Sequence, residues 1–168
     1  MRRSFDVVLY GGALVNQDGE SERDIGVIDG KIAEIGQLSS CDAAEKINCR
    51  GLHILPGAID TQVHFREPGM PHKEDLESGS RSAVLGGVTA VFEMPNTDPL
   101  TSTPEALADK VRRGLNRMHC DFAFWVGGTH ENARDLAELE RLPGAAGVKV
   151  FMGSSTGSLL IADDAGIA

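Results

Sequence analysis

Two rhythms of apolar and polar positions follow one another along the chain. Up to residue 54 the apolar runs are short and each is broken by turn residues. "FDVVLYGG" is β-branched and closes on a glycine turn. "DIGVIDGKIAEIG" is two runs joined at Asp29-Gly30, a dipeptide that favours a two-residue hairpin turn. "KINCRGLHIL" reads as two more strands broken at Arg50-Gly51. Residues 1–54 are therefore predicted to form a small antiparallel β unit. They bring together no constellation of reactive side chains.

From residue 55 the period changes. "GAIDTQVHF", "VTAVFEMPN", "DFAFWVGG" and "AAGVKVFMGSS" read as strands. "LESGSRSAVLGG", "TPEALADKVRRGL" and "ENARDLAELERL" read as the helices between them. In the second helix Thr103 is the expected N-cap and Pro104 the first residue, with Leu107, Val111 and Leu115 on one face. Strands alternating with single helices predict βαβ units and an α/β fold with a parallel sheet.

Each predicted strand ends in polar residues: His64 and Arg66, then Asn96, then Gly127–His130, then Lys149 and Ser154. In parallel α/β folds the site lies at the C-terminal strand ends, so the four ends predict one wall of a site. Gln62 and His64 alternate on one strand face and could meet a metal together. A partly buried, satisfied histidine is the plainer alternative. Arg66 has the planar fork for a carboxylate, or could simply pair with Glu67 or Asp75. Asn96, between two prolines, could bond a ligand or cap a turn. Lys149 has apolar neighbours (Val148, Val150, Phe151 and Met152), which predicts a buried strand. Burial favours a neutral amine, which could take up carbon dioxide as a carbamate; the alternative is a lysine reaching past the strand end. "GSSTGS" lacks the lysine and spacing of a P-loop. His130 could approach the site or help begin the next helix; His53, His72 and His119 are expected at the surface or in packing.

Composition narrows the class. Over 168 residues, 41 % are hydrophobic and 24 % charged, as in a soluble globular protein. The net charge of −9 argues against binding a phosphate backbone. Cys41, Cys49 and Cys120 are odd in number and form no C-x-x-C pair, which predicts reduced thiols in a cytoplasmic protein. The apolar run at the start is too short for a signal-peptide core, and no run approaches a membrane span.

Three stretches, "LPGAIDTQVHFREPG", "SRSAVLGGVTAVFEMPNTDP" and "GVKVFMGSSTG", resemble the amidohydrolase superfamily and, within it, the dihydroorotases. The resemblance covers essentially the whole chain. It implies a (β/α)₈ TIM-type barrel of the metal-dependent hydrolase kind, preceded by a small β-sandwich part. Residues 1–54 would belong to the sandwich and 55–168 to the first half of the barrel. It implies reversible hydrolysis of dihydroorotate to N-carbamoyl-aspartate, in pyrimidine biosynthesis, with one or two zinc ions. His64 matches the second histidine of an H-x-H metal motif. Arg66 and Asn96 match residues that bind the substrate carboxylate. Lys149 matches a lysine that is carboxylated and bridges two zinc ions in related members.

Two departures follow. Gln62 stands where the family pattern has histidine, and an amide oxygen is a poorer zinc ligand than imidazole. A (β/α)₈ barrel takes about 200–250 residues, so later metal ligands and the proton-shuttling aspartate are expected beyond Ala168. His130 and Asp163 come too early for those roles. The 168-residue polypeptide is expected to be an incomplete chain, inactive by itself. Hydantoinases, dihydropyrimidinases and allantoinases are the nearby alternatives. A different one is an inactive dihydroorotase-like subunit that supports aspartate carbamoyltransferase. A homo-oligomer is a further possible assembly.

Overall fold

The computed structural model describes residues 4–153 and 159–161. The chain divides into two compact units, Met1–Pro56 and Gly57–Ala168.

In the first unit, β1 (Ser4–Tyr10), β4 (Asp24–Ile28), β5 (Lys31–Gly36) and β6 (Asp42–Asn48) form one sheet in the order β5-β4-β1-β6. A second sheet has the order β3-β2-β7, from β2 (Ala13–Asn16), β3 (Gly19–Glu22) and β7 (His53–Ile54). The β4–β5 hairpin turns at Asp29 and Gly30, both with positive φ (51° and 71°), as Asp-Gly predicts. The unit is not purely antiparallel. β6 runs parallel to β1 because the chain crosses back from the Gly36 end of β5 to begin β6 opposite Ser4, on the other side of β1; β7 runs parallel to β2. Phe5, Val8 and Leu38 are its buried cluster. Asp24 is buried beside them, and its two oxygens accept from the Gly11 and Leu38 amides at 2.9 and 2.7 Å.

The second unit is the α/β part. β8 (Ala58–Val63), β9 (Val88–Glu93), β10 (Asp121–Gly127) and β11 (Ala145–Lys149) lie side by side in chain order, all parallel. Helices α1 (Leu76–Leu85), α2 (Pro104–Gly114) and α3 (Leu136–Leu139) fill the connections. This is the strand order of a partial barrel. Local signals set the helix limits. The Asp75 carboxylate accepts from the Ser78 amide at 2.8 Å to start α1, which ends at Gly86. Thr103 caps α2, and Pro104 follows as its first residue. No described helix is long and apolar enough to cross a membrane.

Three expected details change. Leu115 lies past the end of α2 and is 54 % exposed, because the helix stops at Gly114. The third helix shrinks to four residues, because Thr129 and Asn132 fold the preceding stretch into a turn through two bonds between their side chains and amides. β11 is half-buried, with Val150 and Met152 exposed beyond it. Among the described residues it is an edge strand, with only β10 as a ladder partner. Ser154, "GSSTGS" beyond Gly153, and Asp163 lie outside the described residues.

The core of this unit lies between sheet and helices, built from Phe65, Leu76, Val91, Leu107, Phe124, Val126 and Leu139. On the other face of the sheet, Phe92 and Trp125 meet edge to face with ring centroids 6.4 Å apart. The Trp125 indole donates to the Thr61 carbonyl of β8 at 2.9 Å.

Two buried carboxylates brace the strand ends from the helix side. Glu67 follows β8. Arg117 grips both its oxygens at 2.9 and 3.2 Å, and the first amide of α1, on Leu76, donates to it at 3.0 Å. Burial alone would raise this carboxyl. The bonds from Arg117 and Leu76 outweigh that and hold it below the ordinary glutamate range. Glu93 ends β9. Its carboxylate and the Lys110 ammonium of α2 are each 1 % exposed and 2.5 Å apart. Neither Glu93 oxygen has a hydrogen bond of good geometry, so the contact is one of charge. Burial pushes Glu93 up and Lys110 down, each towards its neutral form and against the partner's pull. Lys110 also donates to the Met94 carbonyl at 3.2 Å and lies 5.0 Å from the Phe124 ring centroid.

These braces make two predictions. Lys110→Met leaves an uncompensated buried carboxylate and should cost about 3–5 kcal/mol. The double variant Lys110→Met/Glu93→Leu should recover much of that loss. Urea midpoints at a constant slope would check both. For Glu67, a depressed native pKa means stability that is present above the ordinary value and lost as pH falls. Glu67→Gln should therefore lower the melting temperature near pH 7, by roughly 2 kcal/mol of stability. The gap to wild type should close as pH falls below the ordinary glutamate range and through the depressed native pKa.

Candidate active site

The stretch "HFREPG" leaves β8 with its side chains sorted in pairs. Phe65 and Glu67 are buried in the core and its brace. His64 and Arg66 stay half-exposed. The alternation of a strand thus continues into the loop. Phe65 packs against Gly79 of α1, where an added Cβ would come within 2.5 Å of its ring. Arg66 has φ 65°, a left-handed backbone uncommon for a side chain of this size, and its carbonyl accepts from the Met70 amide at 2.9 Å.

Asn96 follows β9 in a tightly held turn. Met94 donates to the Val63 carbonyl at 2.9 Å, joining this turn to the end of β8. Thr97 and Thr101 both donate their amides to Pro95, at 2.9 and 3.0 Å. The Asp98 amide reaches the Pro68 carbonyl at 3.1 Å, beside Gly69, where an added Cβ would come within 2.5 Å of the Asp98 side chain. The turn buries Asn96 to 8 % exposure. Its Oδ1 lies 2.9 Å from Nδ1 of His64.

Burial and the nearby positive charge of Arg66 lower the His64 pKa, and Lys149 and Lys110 add to this. The Asn96 bond opposes the shift without cancelling it. The shift favours the neutral form of His64, the one that can ligate a metal. Arg66 and Lys149 act on His64 only as charges; no described hydrogen bond joins either side chain to it. Lys149 is the last residue of β11, opposite Gly127 in the ladder, and its ammonium lies 5.2 Å from the Phe151 ring centroid.

Arg66 forms no ion pair among the described residues. Both expected partners are engaged elsewhere: Glu67 with Arg117, and Asp75 in capping α1. Gln62 is exposed on β8. No described contact joins its side chain to His64, Arg66, Asn96 or Lys149. His130 is exposed and begins no helix. No three His, Cys, Asp or Glu side chains come together in a metal-ligand cluster among the described residues. A cleft of about 300 Å³, lined by residues that include Thr103, Asn132 and Leu139, contains none of the strand-end candidates.

The alternation of apolar positions did not reveal Glu67, Glu93, Lys110, Arg117 or Asn132. Two of them left a trace: Glu93 interrupts the apolar run "VTAVFEMP", and Lys110 sits beside Leu107 and Val111 on the inward face of α2. Asn132 ties the end of β10 to the loop before α2, donating to the Gly127 and Ser102 carbonyls at 2.9 Å each.

Sequence comparison finds the amidohydrolase family over residues 53–157. An allantoinase of Deinococcus radiodurans is 38 % identical over 153 residues, covering 90 % of this chain and 34 % of that protein. A dihydroorotase of Methanothermobacter thermautotrophicus is 41 % identical over 128 residues, covering 76 % and 29 %. The chain thus spans about one-third of the length of the curated relatives it matches. Among solved structures, an L-hydantoinase (dihydropyrimidinase) from Arthrobacter aurescens superposes with a TM-score of 0.90 at 34 % identity, covering 97 % of this chain and 37 % of that one. With the parallel strands, their polar C-terminal ends and the matched residues in agreement, the chain belongs to the amidohydrolase family.

Proposed function

We propose that this chain supplies one wall of the active site of a metal-dependent cyclic amide hydrolase, and that its substrate is dihydroorotate. In this reading residues 1–54 form part of a β-sandwich and residues 55–168 the first half of a (β/α)₈ barrel. The observation that carries the choice of substrate is Arg66. Its guanidinium is half-exposed at a strand end, close enough to His64 to depress the imidazole pKa, and pairs with no described acid. A planar fork without a partner suits a ring that bears a carboxylate. Allantoin and hydantoin carry no such group.

The residues present fit a metal in part. A lowered pKa favours the neutral form of His64, and its Nδ1 faces Oδ1 of Asn96. Lys149 stands at the C-terminal end of β11, on the same side of the sheet, where its amine could add to carbon dioxide, forming a carbamate and releasing a proton. Gln62 is the weaker donor. The remaining ligands and the proton-shuttling aspartate would come from other strands. A bound zinc ion would supply Lewis-acid polarisation of the scissile carbonyl. Arg66 would hold the substrate carboxylate with two parallel N–H donors, fixing the ring in one orientation. Asn96, after the end of β9 and beside His64, is the second residue proposed for the substrate carboxylate.

A second reading is favoured by the relatives themselves. Five of the first six by similarity are named allantoinase or L-hydantoinase, and one is named dihydroorotase. In that reading Arg66 would serve an uncharged ring.

Ring opening of dihydroorotate, allantoin and hydantoin by the native zinc-loaded protein separates the two. We expect dihydroorotate to be the preferred ring. Arg66→Met should lower its kcat/KM by about 10²-fold, the loss of a charged hydrogen-bonding partner. Turnover of allantoin alone, indifferent to Arg66→Met, would support the second reading. Opening of none of the rings would refute cyclic amide hydrolysis.

A further inference from the structure

We propose that Asn96 is a positioning residue for His64: its Oδ1 fixes the imidazole as the Nδ1–H tautomer, so that Nε2 is the nitrogen presented to a metal. The inference deepens the hydrolase reading, because it takes His64 as the ligand, but the tautomer itself depends on no metal and no substrate.

The geometry carries it. Nδ1 of His64 and Oδ1 of Asn96 are 2.9 Å apart, within the range of a direct hydrogen bond. An amide oxygen has lone pairs and no hydrogen, so the ring nitrogen facing it must carry the proton. In a neutral imidazole the other nitrogen then holds the free lone pair. A histidine that ligates through one nitrogen is commonly held through the other by such a partner. If the NH₂ end of Asn96 faced the ring instead, Nδ1 would accept, Nε2 would carry the hydrogen, and Nε2 could not ligate.

Asn96 is also well placed to impose an orientation on the ring. The residue is 8 % exposed, and its turn is pinned at four points. Met94 donates to Val63 next to His64, Lys110 donates to the Met94 carbonyl, and the Thr97 and Thr101 amides close on Pro95. His64 has less support. It stands one residue past β8, where the pairing with β9 is irregular between Asp60 and Val63, and it is only half-buried. The rigid partner therefore sets the ring orientation of the looser one.

The test reads the tautomer directly. Nitrogen NMR of the metal-free native protein, labelled with ¹⁵N-histidine and held at a pH where His64 is neutral, reports which ring nitrogen carries hydrogen. We expect Nδ1–H in the wild type. Asn96→Ala should shift the population to Nε2–H, the form favoured by a free imidazole. Asn96→Asp, which keeps an acceptor oxygen in place, should restore Nδ1–H. With Zn²⁺ alone as probe, Asn96→Ala should weaken affinity by about 10–100-fold, with partial rescue in Asn96→Asp. An Nε2–H tautomer in the wild type would overturn the proposal without need of any variant. So would an unchanged tautomer in a folded Asn96→Ala protein. Should that variant fail to fold, the wild-type tautomer together with Asn96→Asp decides. Failure to open any of the three rings would count against the hydrolase reading and leave the tautomer result standing.

Discussion

The grip of Arg117 on Glu67 fixes the loop on which the candidate site depends. Glu67 comes three residues after His64, and Arg117 comes fifty residues later, just past α2. The same carboxylate takes the first amide of α1, an orphan donor of that helix end. One buried acid therefore joins the end of β8, the start of α1 and the chain beyond α2. Without it, the loop that carries Arg66 in a left-handed backbone would keep Phe65 in the core and the backbone bonds at Arg66 and Pro68, but lose its tie to α1 and to the chain beyond α2. Burying such a charge is costly, and the cost is offset only because both oxygens are engaged. Glu93 and Lys110 do related work one strand over, with less complete bonding and a stronger drive of each group towards its neutral form.

Much of the fold was legible because its signals are local. Asp29-Gly30 could make only a turn with two positive φ angles, and it does. Thr103-Pro104 specified the start of α2, and Gly86-Gly87 the end of α1. The alternation of strands with helices gave the parallel order. The failures are of another kind. That β6 is parallel to β1 depends on which strands meet after two hairpins, and no single run of residues contains that information. The third helix read well as a pattern, but a side-chain turn at Thr129 and Asn132 took over its first half. Neighbouring apolar residues made β11 look buried, whereas burial depends on what lies beside a strand.

The site was legible in its positions and less so in its connections. Polar residues at four successive strand ends pointed to one wall. His64, Arg66, Asn96 and Lys149 do occupy the ends of β8, β9 and β11 or the loops that directly follow. Their supports were hidden, because a buried ion pair joins residues far apart in the chain. Lys149 drew attention as a lysine among apolar residues, yet the fully buried lysine is Lys110. The difference lies in the period. Lys110 sits on the inward face of a helix with Leu107 and Gly114, while Lys149 ends an edge strand.

Arg66 is where fold and function part company. An arginine between His64 and Glu67 has a plain structural explanation in a salt bridge to its neighbour. Arg117 has taken that neighbour, and Asp75 is spent on capping α1. The core cluster and the braces around it do not use the Arg66 guanidinium. Yet the backbone beneath it is held in a conformation uncommon for a long side chain, and such strain persists only where the surroundings over-determine it. The surroundings here are Phe65 in the core on one side and the buried Glu67 on the other. A fold that anchors both neighbours of a residue, while no described acid pairs with its charge, holds that charge ready for a group from outside. This is why Arg66, more than the ambiguous Gln62, bears the weight of the substrate assignment.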